Sequence, residues 1–232
     1  MNEPIVYFTE NKKSIGIIND LLHAVYSHYP VGYPHFTQKY PGYLKMGEIL
    51  ADKINLECND INSVSNKFAA DLQSLLPEYR IDNRNYLQFP NYLYVLPIAS
   101  EDLGTVVHEF ELNIVISLLC DYYTVVLADI YRTRGISADG IIPDHFVSRH
   151  SVFSYSSSVG RVSEHSIPVI TETINKYFPG KNYVPHRLLM ETPLVTGVTP
   201  FMNLYDPARK GYSFWELLFL NDDLHNVATV ID

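Results

Sequence analysis

"VVHEFELNIVISLL", residues 106–119, decides the fold. His108, Phe110, Leu112, Ile114, Ile116 and Leu118 alternate with Val107, Glu109, Glu111, Asn113, Val115 and Ser117. A period of two is the signature of a β-strand, and a polar second set predicts a long strand with one buried face. The stretch "CDY" (120–122) follows, and then "YTVVLADIYR" (123–132), rich in β-branched and aromatic residues. A tight antiparallel hairpin is the economical reading. "NYLYVLPI" (91–98) predicts a third strand alongside and "HNVATVI" (225–231) a last one.

Upstream of the strands the period is that of helices. From Asn11, the residues Ile15, Ile18, Leu22, Val25 and Tyr29 step by three and four, with Lys12, Asn19, Asp20, His23 and Ser27 on the other side. Pro30 ends that helix, because it has no amide hydrogen and biases the preceding residue away from helical dihedrals. A second helix is predicted from Tyr43 to about Leu56, burying Met46, Ile49, Leu50 and Ile54. A third starts at an Asp60 cap, buries Ile61, Val64, Phe68, Leu72 and Leu75, and stops before Pro77.

The composition shifts between residues 77 and 86. The fold class expected is α+β in a single domain spanning 1–232, with N-terminal helices packed on a central antiparallel sheet and further helices toward the C-terminus. Its helical subregion covers about 11–76 and its sheet-rich subregion about 86–232. Residues 133–162 read as irregular, with turn signals at Gly135, Asp139-Gly140 and Pro143 and the serine-rich "FSYSSSVGR" (153–161). A helix is expected from a Ser166 cap with Pro168 in its first turn, burying Ile167, Ile170, Ile174 and Tyr177. Ser213 and Glu216 have capping-box spacing, with Tyr212 and Leu217 placed for the hydrophobic staple.

With 232 residues, 47% hydrophobic and 19% charged, the chain falls in the globular range and buries roughly 70% of its unfolded surface without needing a staple. Cys58 and Cys120 have no CxxC spacing and read as buried free thiols. A formal net charge of -9 with scattered lysines and arginines argues against nucleic acid and anionic lipid as partners. "MNEPIVYFTENKK" (1–13) lacks the basic start and apolar core of a secretory signal, and no window is apolar enough to span a membrane. The expectation is a soluble, cytoplasmic protein without a membrane partner; a homo-oligomer stays open.

No nucleotide, metal or nucleophile motif is present, so no cofactor and no metal are expected. His108 and Glu109 are not an HExxH pair, and as strand neighbours they face opposite ways. Asp129 stands out as a carboxylate inside an apolar strand, where it must be paired, hydrogen-bonded or protonated. "DGIIPDHFVSRH" (139–150) gathers Asp139, Asp144, His145 and His150 in the region read as a loop, and a carboxylate beside an imidazole is a workable acid/base pair. If the protein is an enzyme, its catalytic candidates are Asp129, Asp144 and His145.

"VYSHYPVGYPHFTQKYPGY" (25–43) holds five tyrosines among three prolines and two glycines. It reads as a stiff connector between two helices, and Tyr33, His35, Phe36 and Tyr40 form the candidate partner-binding patch. Two functional readings result. The first is a non-enzymatic acidic protein-binding module, of the inhibitor or immunity type that covers a partner's surface, for which another protein is the partner. The alternative is a hydrolase-like enzyme using carboxylate/histidine chemistry in the loop after the 123–132 strand.

Overall fold

The computed structural model describes residues 12–30, 40–59, 63–85, 87–138, 140–154, 160–191, 211–219 and 227–231. Three helices open it: α1 (Lys12–His28), α2 (Pro41–Asn59) and α3 (Val64–Leu75). At the end of α1 the Tyr29 amide still donates to the Val25 carbonyl at 2.8 Å, and Pro30 stops the ladder. Pro41 opens α2 at the first helical position, where its missing amide hydrogen costs nothing. The two helices meet closely: a Cβ added to Gly42 would lie 2.5 Å from the His28 carbonyl oxygen.

Details of the helix faces differ from the periodic reading. The buried stripe of α1 is Leu21, Val25, His28 and Tyr29, while Ile15 is exposed and Ile18 and Leu22 flank the core. In α2, Met46 and Leu50 are buried as expected, but Lys53 is buried and Ile54 exposed. The cap of α3 is Ser63, whose Oγ accepts from the Asn66 amide at 3.2 Å. The Asp60 cap and Ile61 of the sequence reading lie outside the described residues.

The strands are β1 (Asp82–Asn83), β2 (Asn91–Asp102), β3 (Val106–Ser117), β4 (Tyr122–Ser137), β5 (Gly140–Ser154), β6 (Asn182–Tyr183) and β7 (Val227–Ile231). They form one sheet in the order β1-β2-β3-β4-β5-β7, with β6 pairing β4. The pairs from β1 through β5 are antiparallel, and β6 and β7 add in parallel. The architecture is thus α+β, with N-terminal helices, a central antiparallel sheet and further C-terminal helices α4 (Gly160–Tyr177), α5 (His186–Glu191) and α6 (Phe214–Leu218).

The sequence predicted one buried face for β3, and the structure buries both. On one face Leu93, Val95, Val115, Val126 and Ala128 pack with Leu21 and Val25 of α1, Met46 of α2, Leu189 of α5 and Trp215 of α6. On the other, Tyr94, Leu112, Ile114, Val125 and Leu127 pack with Phe68 and Leu72 of α3 and Ile170 and Ile174 of α4. The polar set of β3 pointed to solvent because a buried polar side chain is costly unless paired, and here several are paired. Glu111 Oε1 accepts from Arg84 Nη2 at 3.1 Å, and Ser117 Oγ donates to the Leu218 carbonyl at 2.6 Å.

Two further readings are corrected. The described part of the stretch read as irregular is mostly strand: β4 continues to Ser137 and the chain returns as β5 (Gly140–Ser154), with Ser137 opposite Gly140. Gly140, read as a turn signal, opens the returning strand of a hairpin with φ +120°, which an L side chain rarely adopts. The helix expected from Ser166 already begins at Gly160, so Ser166 and Pro168 lie inside α4. Pro168 is tolerated there at the loss of one ladder bond.

The C-terminal capping box forms as predicted. Ser213 N donates to Glu216 Oε2 at 2.8 Å, the Glu216 amide donates back to Ser213 Oγ at 3.3 Å, and Tyr212 and Leu217 are both buried. The other end of α6 is capped from three distant elements. Tyr29 Oη donates to the Leu217 carbonyl at 2.6 Å, Ser117 Oγ to Leu218, and Asn91 Nδ2 to Phe219 at 2.9 Å.

Candidate functional site

The β2–β3 turn and the β4–β5 ribbon define one end of the sheet. Gly104 takes φ +83° in the turn, and its amide donates to Asp102 Oδ1 at 2.9 Å. Arg134 of β4 clamps this turn: its Nη1 and Nη2 reach the two Asp102 carboxylate oxygens at 2.6 and 2.9 Å, and Nη1 also donates to the Gly104 carbonyl at 2.7 Å. The fork geometry of guanidinium matches a carboxylate, and it holds the Asp102 carboxyl below the usual carboxylate range.

Beyond the clamp, β4 and β5 continue as a two-stranded ribbon. Ile136, 70% exposed, stands opposite Ile141 in the ladder, and Ile141, Ile142 and Leu103 of the neighbouring turn are exposed too. Large β-branched side chains at a solvent-facing hairpin tip do nothing for the core. The sequence signal was present in "GISADGII" (135–142), where isoleucines flank the turn, but it was read as irregular chain.

The register places Asp129 opposite Phe110 on one side and Val152 on the other. Its Oδ1 lies 2.8 Å from His108 Nε2, and the His108 ring stacks on Tyr131 with centroids 4.5 Å apart and planes 7° from parallel. Asp129 and His108 are each a little under a third exposed, so the aspartate of the apolar strand is neither dry nor alone. Arg132 and Arg134, further along the same strand, pair instead with Glu109 at 2.8 Å and with Asp102. His108 and Glu109 do take opposite faces, the one beside Asp129 and the other beside Arg132.

Asp144 and His145 sit in β5, not in a loop. Ile141 pairs with Ile136 and Phe146 with Arg134, so the four residues 142–145 oppose Gly135 alone, an enlarged bulge in the ribbon. Their side chains lie outside the described residues. Along β5, Val152 is seven residues from His145, which sets the Asp129 level about 20 Å from the bulge at the usual strand rise. The backbone therefore keeps Asp129 apart from Asp144 and His145.

Of the tyrosine-rich connector, Tyr33, His35 and Phe36 lie outside the described residues. Tyr40 is partly buried against the core, its hydroxyl donates to the Tyr26 carbonyl at 2.9 Å, and its ring meets Tyr43 edge-on at 5.8 Å. It serves the α1–α2 corner as scaffold. Cys120 is a buried free thiol, raised in pKa by desolvation; the Cys58 side chain is outside the described residues. Among the described residues, no group of three or more His, Cys, Asp or Glu could hold a metal ion, and no helix is long and apolar enough to cross a membrane.

Comparison of the chain with protein-family models, with curated proteins and with solved structures finds no match.

Proposed function

We propose that the chain is a non-enzymatic, acidic protein-binding module, of the inhibitor or immunity type that covers a partner's surface, and that the β4–β5 ribbon tip is its contact. The observation that carries this reading is the exposed cross-strand pair Ile136 and Ile141, extended by Ile142 and Leu103. Exposed apolar clusters on a rigid support are what interfaces use as anchors, since little entropy is lost on docking. The Arg134 clamp fixes the β2–β3 turn that carries Leu103. A net charge of -9, with Glu101 exposed near the turn, favours a partner with basic residues around an apolar centre.

The test is affinity capture from native cells with the wild type and with Ile136→Asp and Ile141→Asp, all checked for an unchanged circular dichroism spectrum. A partner retained by the wild type and lost by both variants is the expected result. Retention by both variants sinks the assignment of the tip.

The enzymatic alternative draws support from a different pair than the sequence suggested. His108 Nε2 against Asp129 Oδ1, with the ring steadied by Tyr131, is a geometry suited to proton transfer. A panel of ester, amide and phosphoester substrates assayed with wild type, His108→Ala and Asp129→Asn separates the two readings. Turnover lost in both variants favours the enzyme; none in the wild type leaves it without support.

A further inference from the structure

The outward side of α2 is apolar along a line. Leu44, Gly47, Ala51 and Ile54 step by three, four and three, which stacks them in one stripe along the helix. All four are exposed, Leu44 by 60% and Ile54 by 39%. Met46, Leu50 and Lys53 are the buried side of the same helix, so the stripe adds nothing to the core. A Cβ added at Gly47 would meet nothing within 4 Å, which leaves the middle of the stripe open to a close approach.

We propose that this stripe is the contact of a two-fold symmetric homodimer in which α2 packs antiparallel against α2 of a second copy. The stripe is complementary to itself. With the dyad at the level of Ile49, each Leu44 faces Ile54 of the second copy and each Gly47 faces Ala51 of the second copy. The bulky residues meet at the two ends and the small ones at the crossing, where they let the helix axes approach to about 8 Å.

The charges fit the same register. Lys45 and Asp52, both exposed, lie on one flank of the stripe, seven residues apart. Antiparallel packing sets like flank against like flank, so Lys45 of each copy comes within one residue of Asp52 of the other. Glu48, between them, meets its own counterpart near the dyad and is the one unfavourable contact. A match that is apolar and charged in a single register assigns the stripe to a second copy rather than to a different protein. A helix of 19 residues is only about 28 Å long. One such face from each copy buries less than the roughly 1,200 Å² of the smaller stable interfaces, so the dimer forms and dissociates with concentration. None of these residues belongs to the ribbon tip, and the dimer and the protein-binding reading fail or stand separately.

The experiment is sedimentation velocity of the full chain from about 5 μM to about 1 mM, a range that brackets the affinity of so small an interface. The wild type is expected to move from monomer toward dimer across it. Leu44→Glu and Ile54→Glu, changes at exposed positions checked by circular dichroism, should each raise the dissociation constant by about tenfold or more. Asp52→Lys alone should raise it severalfold. Adding Lys45→Glu to Asp52→Lys should bring it back to within about twofold of the wild type, a rescue that a general effect on α2 would not give. A wild type that stays monomeric throughout overturns the proposal. So does a dimer that survives both glutamate variants, which would place the contact on another surface.

Discussion

The hydroxyl of Tyr29, at the end of the first helix, donates a 2.6 Å hydrogen bond to the carbonyl of Leu217, 188 residues later in the chain. With Ser117 and Asn91 it closes the C-terminal end of a five-residue helix that could not hold itself in isolation. Tyr29→Phe keeps the ring and removes the donor. Urea unfolding should show a loss of roughly 1–2 kcal/mol, with a similar loss for Ser117→Ala. Equal stability of wild type and Tyr29→Phe would show that the carbonyl finds another partner.

Gly42 and Gly47 lie five residues apart in α2 and should respond oppositely to alanine. A Cβ at Gly42 meets the His28 carbonyl at 2.5 Å, whereas one at Gly47 meets nothing within 4 Å. Gly42→Ala should cost roughly 1–3 kcal/mol through forced backbone movement. Gly47→Ala should stabilise by roughly 0.5–1 kcal/mol, since glycine is a poor helix former. Thermal melts of the two variants check the sign of each.

Acid should destabilise the protein through a buried imidazole. Desolvation lowers the pKa of His186 from 6.5 to about 3, so the folded state refuses a proton that the unfolded chain takes up below pH 6.5. Stability is then lost as pH falls from 6.5 toward 3. Desolvation also lowers His28, with Lys45 adding to it against the opposing bond to the Leu119 carbonyl. Between pH 7 and pH 4, His186 alone accounts for about 3 kcal/mol. The His186→Leu variant should lose that much less stability over the same interval in urea unfolding.

Stability rises with pH in the alkaline range too, because Lys53 is buried and desolvation lowers its pKa from 10.5 to about 8, against a smaller opposing pull from Glu57. Its Nζ donates to the Phe89 and Asn91 carbonyls at 2.9 and 2.6 Å, bonds that a neutral amine can also make. From pH 8 to pH 10 the unfolded state holds more protons, so this group adds about 2 kcal/mol of stability. The unfolding free energy of the wild type should rise by that amount relative to Lys53→Met across the range.

The sequence was most informative where one local rule had no competitor. Alternation placed β3 and β4, and the capping box at Ser213 placed α6, since each signal lies within a few residues. It misled where tertiary context decides. Glu109, Glu111 and Ser117 looked like a solvent face because their partners, Arg132, Arg84 and the Leu218 carbonyl, come from other elements. Lys53 and Ile54 exchanged their expected places for the same reason. The His108–Asp129 pair depends on strand register, which composition does not encode. The ribbon of β4 and β5 was missed because Gly135, Pro143 and the bulge around them interrupt the alternation that a strand should show.

The cap that joins Tyr29 to α6 sets an order of events during synthesis. At roughly 5–20 residues per second, the Leu217 carbonyl emerges about 10–40 s after the Tyr29 hydroxyl that will grip it. The hairpins of β2, β3 and β4 pair nearest neighbours and can assemble in the meantime, and His28 can already reach the Leu119 carbonyl. Until α6 is made, the Tyr29 hydroxyl and the part of the α1 stripe that α6 covers have no native partner there.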